Sequence, residues 1–264
     1  MQAARRQSPS LPIFGALIGA SWLALLLWER SPYGRYLEHG RWTEIGLAGR
    51  ICGIFASGHV ILPALLYAGG WLLMTAAMMV PSTLPLIRLF DRVTASRTDR
   101  VRLNVLLIAG YLMAWAGFGV VAHLLDTAVH ATLPAVLWLT GAPWILGAFV
   151  LATAGVFQFS RLKQHCLDRC RTPFGFIVQH WRGPRPHWSA FRLGLHHGDF
   201  CVGCCWAIML LMFVVGTGSV GWMLGLGTIM AAEKSASWGP LLTRPLGIGL
   251  LGCAALVTAA NLGS

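Results

Sequence analysis

Long apolar runs, broken by short charged stretches, set the pattern of this chain. They extend from Leu11 to Trp28, from about Leu65 to Phe90, from Leu103 to Leu125, from Leu133 to Phe159 and from Cys201 to about Met230, with a shorter run from Leu246 to Ala260. About 20 apolar residues in a helix are enough to cross a hydrocarbon core roughly 30 Å thick. The pattern therefore predicts an all-α polytopic transmembrane helix bundle of about six spans, forming one integral membrane domain over residues 1–264.

Ile51 to Ala68 is apolar too, but it carries Gly58, His59 and Pro63, and Gly69-Gly70 follows it. It is expected as a partly buried or re-entrant piece, and a seventh span is the alternative. Pro81 and Pro85 are expected to kink the inner end of the second span. Residues 29–50 mix charges of both signs with Tyr33, Tyr36 and Trp42, which suits a segment lying at the water interface. The first run has no small-residue cleavage site after it and is expected to be an anchor helix.

Composition agrees with the pattern. Hydrophobic residues make up 56% and charged residues 11%, with a mean hydropathy of +0.65. A soluble domain carries about 25% charged residues. The formal charge of +11 would suggest nucleic acid in a soluble protein. Here the basic residues lie between apolar runs, so topology explains them, with contact to anionic headgroups of the lipid bilayer as a second effect. No nucleic-acid partner is expected. Arg88, Arg92, Arg97, Arg100 and Arg102 form one basic stretch, and residues 160–200 a longer one. Six-span and seven-span topologies both place these two stretches in the cytoplasm.

Five of the seven cysteines lie in or beside that longer stretch. Cys166 and Cys170 are four apart. Cys201, Cys204 and Cys205 follow at i, i+3 and i+4. If the fourth helix continues to Arg171 and the fifth begins near Cys201, each set shares a helix face. Cytoplasmic thiols stay reduced, so ligation is expected over stable disulfides. Four thiolates suit Zn(II), and two or three suit Cu(I). Lys163, Arg169, Arg171 and Arg192 are expected to favour the thiolate form. His197 is a further ligand candidate, with His165 and His196 less favoured. Met74, Met78 and Met79 on the second span, and Met209 and Met212 beyond Cys205, would offer thioethers to Cu(I), though methionine also fills gaps between helices. Cys52 and Cys253 are isolated and read as small apolar residues. Glu233-Lys234 reads as a helix-end ion pair. Small residues, such as Gly221 and Gly225, are expected to pack helices within the chain, and homo-oligomerisation is allowed but not indicated. There is no P-loop, dinucleotide fingerprint or nucleophile elbow, and the scattered acidic residues argue against hard-metal sites.

Several of these stretches resemble a bacterial family of uncharacterised, predicted metal-binding integral membrane proteins. The likeness rests on Trp71-Leu-Leu-Met74-Thr-Ala-Ala-Met78-Met79-Val-Pro81, Gly155-Val-Phe-Gln158, Cys166-Leu-Asp-Arg-Cys170 and Gly194-Leu-His-His197-Gly198-Asp-Phe-Cys201-Val-Gly203-Cys204-Cys205-Trp206. It extends to Gly110-Tyr111, Trp115, Trp222-Met223 and Glu233-Lys234. Where that family often has Met-Asn, this chain has Gly218-Ser219, which removes one donor from a copper path. The resemblance implies metal binding without a substrate. The expected function is binding of Cu(I) or Zn(II), identity open, at a cysteine cluster on the cytoplasmic side of a bacterial inner membrane. That binding would serve metal handling or maturation of a partner, with a metal-donor or metal-acceptor protein implied. The alternatives are a membrane thiol–disulfide oxidoreductase and a structural subunit with a loop-stapling zinc.

Overall fold

The computed structural model describes residues 10–30, 61–132, 144–181, 185–215 and 219–262. The interfacial segment beyond Arg30, the part of the expected re-entrant piece before Ile61, Cys52 and Gly218 lie outside the described residues; the rest of that piece, from Ile61 to Ala68, is helix continuous with the second span through Gly69-Gly70. Among the described residues all regular structure is helical: α1 (Ser10–Glu29), α2 (Ile61–Val93), α3 (Arg100–Thr132), α4 (Trp144–Phe157), α5 (Arg161–Arg171), α6 (Pro173–His180), α7 (Pro186–Val215), α8 (Val220–Ser235) and α9 (Gly239–Leu262). Helices α1, α2, α3, α7 and α9 are each long and apolar enough to cross a membrane, and α4 with α5 makes a sixth if that bent pair is one span. The expected bundle of transmembrane helices is what forms.

Two features differ from the pattern read along the sequence. Residues 160–200, expected as a long loop, are largely helical. Ser160 caps α5, its hydroxyl accepting from Lys163 N at 3.1 Å. A break at Gln158–Ser160 turns α5 by 63° from α4, which lays it against α7. The expected fifth span also divides. Helix α7 begins at Pro186, where a proline costs no helical hydrogen bond, and a separate α8 follows from Val220. Cys201 thus sits in the middle of a long helix and not at its mouth.

Helix α2 runs through Pro81 and Pro85. Around these prolines the Ser82 and Thr83 hydroxyls turn back onto the Met79 and Val80 carbonyls, at 2.7 and 2.8 Å.

The closest packing joins α3 to α7. A Cβ on Gly110 would collide with the Phe191 carbonyl, and one on Gly194 with the Leu107 carbonyl. A Cβ on Gly198 would lie 2.6 Å from that of Ala114. Small residues at these points bring the two backbones together, the usual device where lipid supplies no hydrophobic drive between helices. Helices α4, α5 and α8 also pack on α7, α2 packs between α3 and α8, and α1 and α9 lie outside against α2 and α4 respectively. Apolar side chains such as Phe149, Leu241 and Leu256 point outward, as lipid contact requires.

Candidate metal centre

Four of the predicted cysteines meet inside this bundle. Cys201, Cys204 and Cys205 rise from α7 and are almost fully buried. Cys170 reaches them from α5, its sulfur 3.9 Å from that of Cys204. The Cys201 sulfur neighbours the thiols of Cys170, Cys204 and Cys205. From α2, Met79 brings its thioether to 3.9 Å from Cys205 Sγ. The cluster therefore joins three helices through sulfur.

At its centre stands a positive charge. Lys234, on α8, places Nζ 2.8 Å from Cys201 Sγ, 3.4 Å from Cys205 Sγ and 3.8 Å from Met79 Sδ. Three soft donor atoms thus converge on one cation. The Tyr111 hydroxyl, from α3, lies 3.0 Å from Cys201 Sγ and donates to the Met79 carbonyl at 3.4 Å. The close α3–α7 seam brings Tyr111 within reach of the sulfur. Cys204 and Cys205 both donate to the Cys201 carbonyl, at 3.1 and 2.7 Å, which fixes their rotamers along the helix.

Lys234 does not pair with Glu233, as the sequence suggested. Glu233 instead takes Lys163 of α5 in a buried, two-pronged bridge at 2.8 and 3.0 Å. Arg171 donates to the Glu233 and Ala236 carbonyls at 2.5 and 2.7 Å. Arg169 donates to Gln179. Lys163, Arg169 and Arg171 were expected to bias the thiols, but their charges are directed elsewhere, and the cation at the sulfurs is Lys234.

The remaining candidates fall outside this centre. Cys166 is buried one helical turn from Cys170, facing the space that a side chain at Gly203 would need. His197 is buried between Tyr111 and Phe176, and its Nδ1 has no hydrogen-bond partner among the described residues. His165 is exposed beside Phe200, and His196 lies against His180. Met78 borders Gly227 of α8, while Met74, Met209 and Met212 are buried in the same core. Cys253 is exposed on α9. The described cysteines are all free thiols.

Among the described residues no three His, Cys, Asp or Glu donors already surround a common ion position. The point on which the Cys201, Cys205 and Met79 sulfurs converge is taken by Lys234 Nζ. The donor chemistry fits a soft ion: thiols and a thioether line the centre, and among the described residues no carboxylate contacts it.

A family profile described as PpoB2, copper chaperone, matches residues 68–257. The chain belongs to that family. The matched region contains α3, α5, α7 and α8 and every residue of the sulfur centre. Membership in this copper chaperone family agrees with the motifs in pointing to a metal-related family, and together with the cysteine cluster it fits metal handling. No curated protein and no solved structure matches the chain.

Lys234, read as half of a helix-end ion pair, and Tyr111, read only as part of the family likeness, are the two residues of the centre that the sequence did not assign to it. A signal for Lys234 was available. Adjacent helical side chains point about 100° apart and do not face each other. Glu233 and Lys234 therefore needed different partners from the start.

Proposed function

We propose that this protein is a membrane-embedded copper chaperone. It holds Cu(I) on the thiolates of Cys201 and Cys205 with the Met79 thioether, and passes the ion to an acceptor protein. Cys170 and Cys204 lie next to that trio and supply the thiols through which copper enters or leaves by ligand exchange. The observation that carries this reading is the convergence of three sulfur atoms on a single cation. The family's description as a copper chaperone supports copper as the ion, as does a donor set of thiolate and thioether, which Cu(I) prefers.

Elemental analysis of anaerobically purified protein tests this directly. Wild type should carry copper after exposure to a Cu(I) donor, and the Cys201→Ser/Cys205→Ser double variant should not. Equal copper in both would sink the reading.

The centre serves a bacterial inner membrane from its cytoplasmic side, where thiols stay reduced. The basic stretch around Arg97 supports that orientation through its retained positive charge. An Arg97→Cys variant should react with an impermeant maleimide in inside-out vesicles and not in intact spheroplasts. The opposite pattern would reverse the topology.

A further inference from the structure

The geometry points to Lys234 as a charge filter that makes the sulfur centre select monovalent over divalent soft cations. This inference rests on the copper reading and adds to it the residue that sets specificity. Three sulfurs alone do not distinguish Cu(I) from other thiophilic ions. The fixed charge beside them does.

Lys234 is buried, and its Nζ contacts both thiol sulfurs and the thioether. A metal held by Cys201 and Cys205 takes both as thiolates. Two thiolates and one ammonium leave one net negative charge. A monovalent ion brings the centre to neutrality. A divalent ion leaves an unbalanced positive charge inside an apolar bundle, which is strongly unfavourable. Glu233, next to Lys234 in the chain, adds nothing to this count because Lys163 balances it. No hydrogen bond or ion pair joins Lys234 to a carboxylate among the described residues, so its charge is not cancelled elsewhere. An ion held by these sulfurs would take the place of Nζ, and the ammonium would remain beside the thiolates as their counter-charge.

Ag(I) and Cd(II) make a clean pair of probes, since both are thiophilic and redox-inert and they differ in charge. The full chain, purified anaerobically in detergent, is titrated with each ion against a chelator of known affinity. Wild type should prefer Ag(I). Lys234→Met should shift the Ag(I):Cd(II) affinity ratio toward Cd(II) by about a hundredfold or more, the scale on which a buried charge responds to loss of its partner. Lys234→Arg keeps the charge and should keep the wild-type preference, which a merely structural role for lysine would not require. Lys234→Gln gives the same neutralisation with a polar side chain and serves if the methionine variant does not fold. An unchanged ratio in the neutral variants, or an equal shift in Lys234→Arg, overturns the charge filter and leaves copper binding standing. A wild type that binds neither Ag(I) nor Cu(I) overturns the copper reading and this inference together.

Discussion

The buried bridge between Lys163 and Glu233 fastens the short helix α5 to α8, and its removal should unfold the metal centre from outside. Lys163 Nζ donates to both Glu233 oxygens, at 3.0 and 2.8 Å, and the two side chains are 0% and 2% exposed. Glu233→Gln leaves a lysine charge buried without its counter-charge. Breaking such a pair from one side costs about 3–5 kcal/mol. Lys163→Met strands the carboxylate and should cost a similar amount. The double variant Lys163→Met/Glu233→Met removes both charges and keeps the volume. It should recover most of the loss, since an apolar pair in place of a buried ion pair is often neutral or stabilising. Unfolding in mixed detergent and SDS micelles, followed by tryptophan fluorescence, measures all three against wild type. Copper stoichiometry should fall with stability in the single variants, because α5 carries Cys170. Single variants within about 1 kcal/mol of wild type, the scale of an exposed pair, would refute the reasoning. So would a double variant as unstable as the sum of the singles.

Four further outcomes follow from the same geometry. Gly194→Val should force α3 from α7 at Leu107, costing about 1–3 kcal/mol as overpacking and drawing Tyr111 from Cys201; an SDS unfolding titration unchanged from wild type would contradict the close seam. Tyr111→Phe removes one hydrogen bond to a sulfur and should weaken Cu(I) binding by the equivalent of about 1 kcal/mol, read by chelator competition; no change would detach the hydroxyl from the site. Mild oxidation should join Cys170 to Cys204, whose sulfurs are 3.9 Å apart, before it touches Cys166, and peptide mass spectrometry would show any other order. On the connection between α2 and α3, Arg97 donates to Asp99 at 2.8 and 3.0 Å and holds its carboxyl below the usual range. A lowered carboxylate pKa contributes stability above about pH 4, the unfolded value, which is lost as pH falls through the folded one. Asp99→Asn should abolish that small acid-side loss, and a variant with an unchanged acid limb would disprove the assignment.

Much of the scaffold was legible in the hydropathy pattern. The runs beginning at Leu11, Leu65, Leu103 and Leu246 became α1, α2, α3 and α9, since a membrane span must satisfy its backbone internally and be apolar throughout. The start of α7 was not legible by that rule, because His187, Arg192, His196 and Asp199 give its first half a loop-like composition. Its buried positions tell more. Ala190, Leu193, His197, Cys201, Cys204 and Ile208 recur at helical spacing, and reading that period would have extended the helix back to Pro186. The cysteine sets were visible as shared faces, and Cys170 does meet Cys204. Cys166 shares its helix with Cys170 but faces Gly203, one turn away, a distinction that only the placement of α5 on α7 decides. Met79 stood among several methionines, and nothing in spacing alone separated it from Met78. Tyr111 depends on a contact between α3 and α7 that no local pattern encodes, although Gly110 beside it and Gly194 and Gly198 opposite marked where the two backbones could close.

In the proposed centre, sulfur atoms hold copper at the position now taken by Lys234 Nζ. X-ray absorption at the copper edge of the Cu(I)-loaded protein tests that most directly. The expected spectrum shows a first shell of sulfur alone, with no imidazole scattering, and the Cys201→Ser/Cys205→Ser protein should retain no such signal. A shell of nitrogen or oxygen, or a sulfur shell that survives in the double variant, would place the metal elsewhere and contradict the proposed centre.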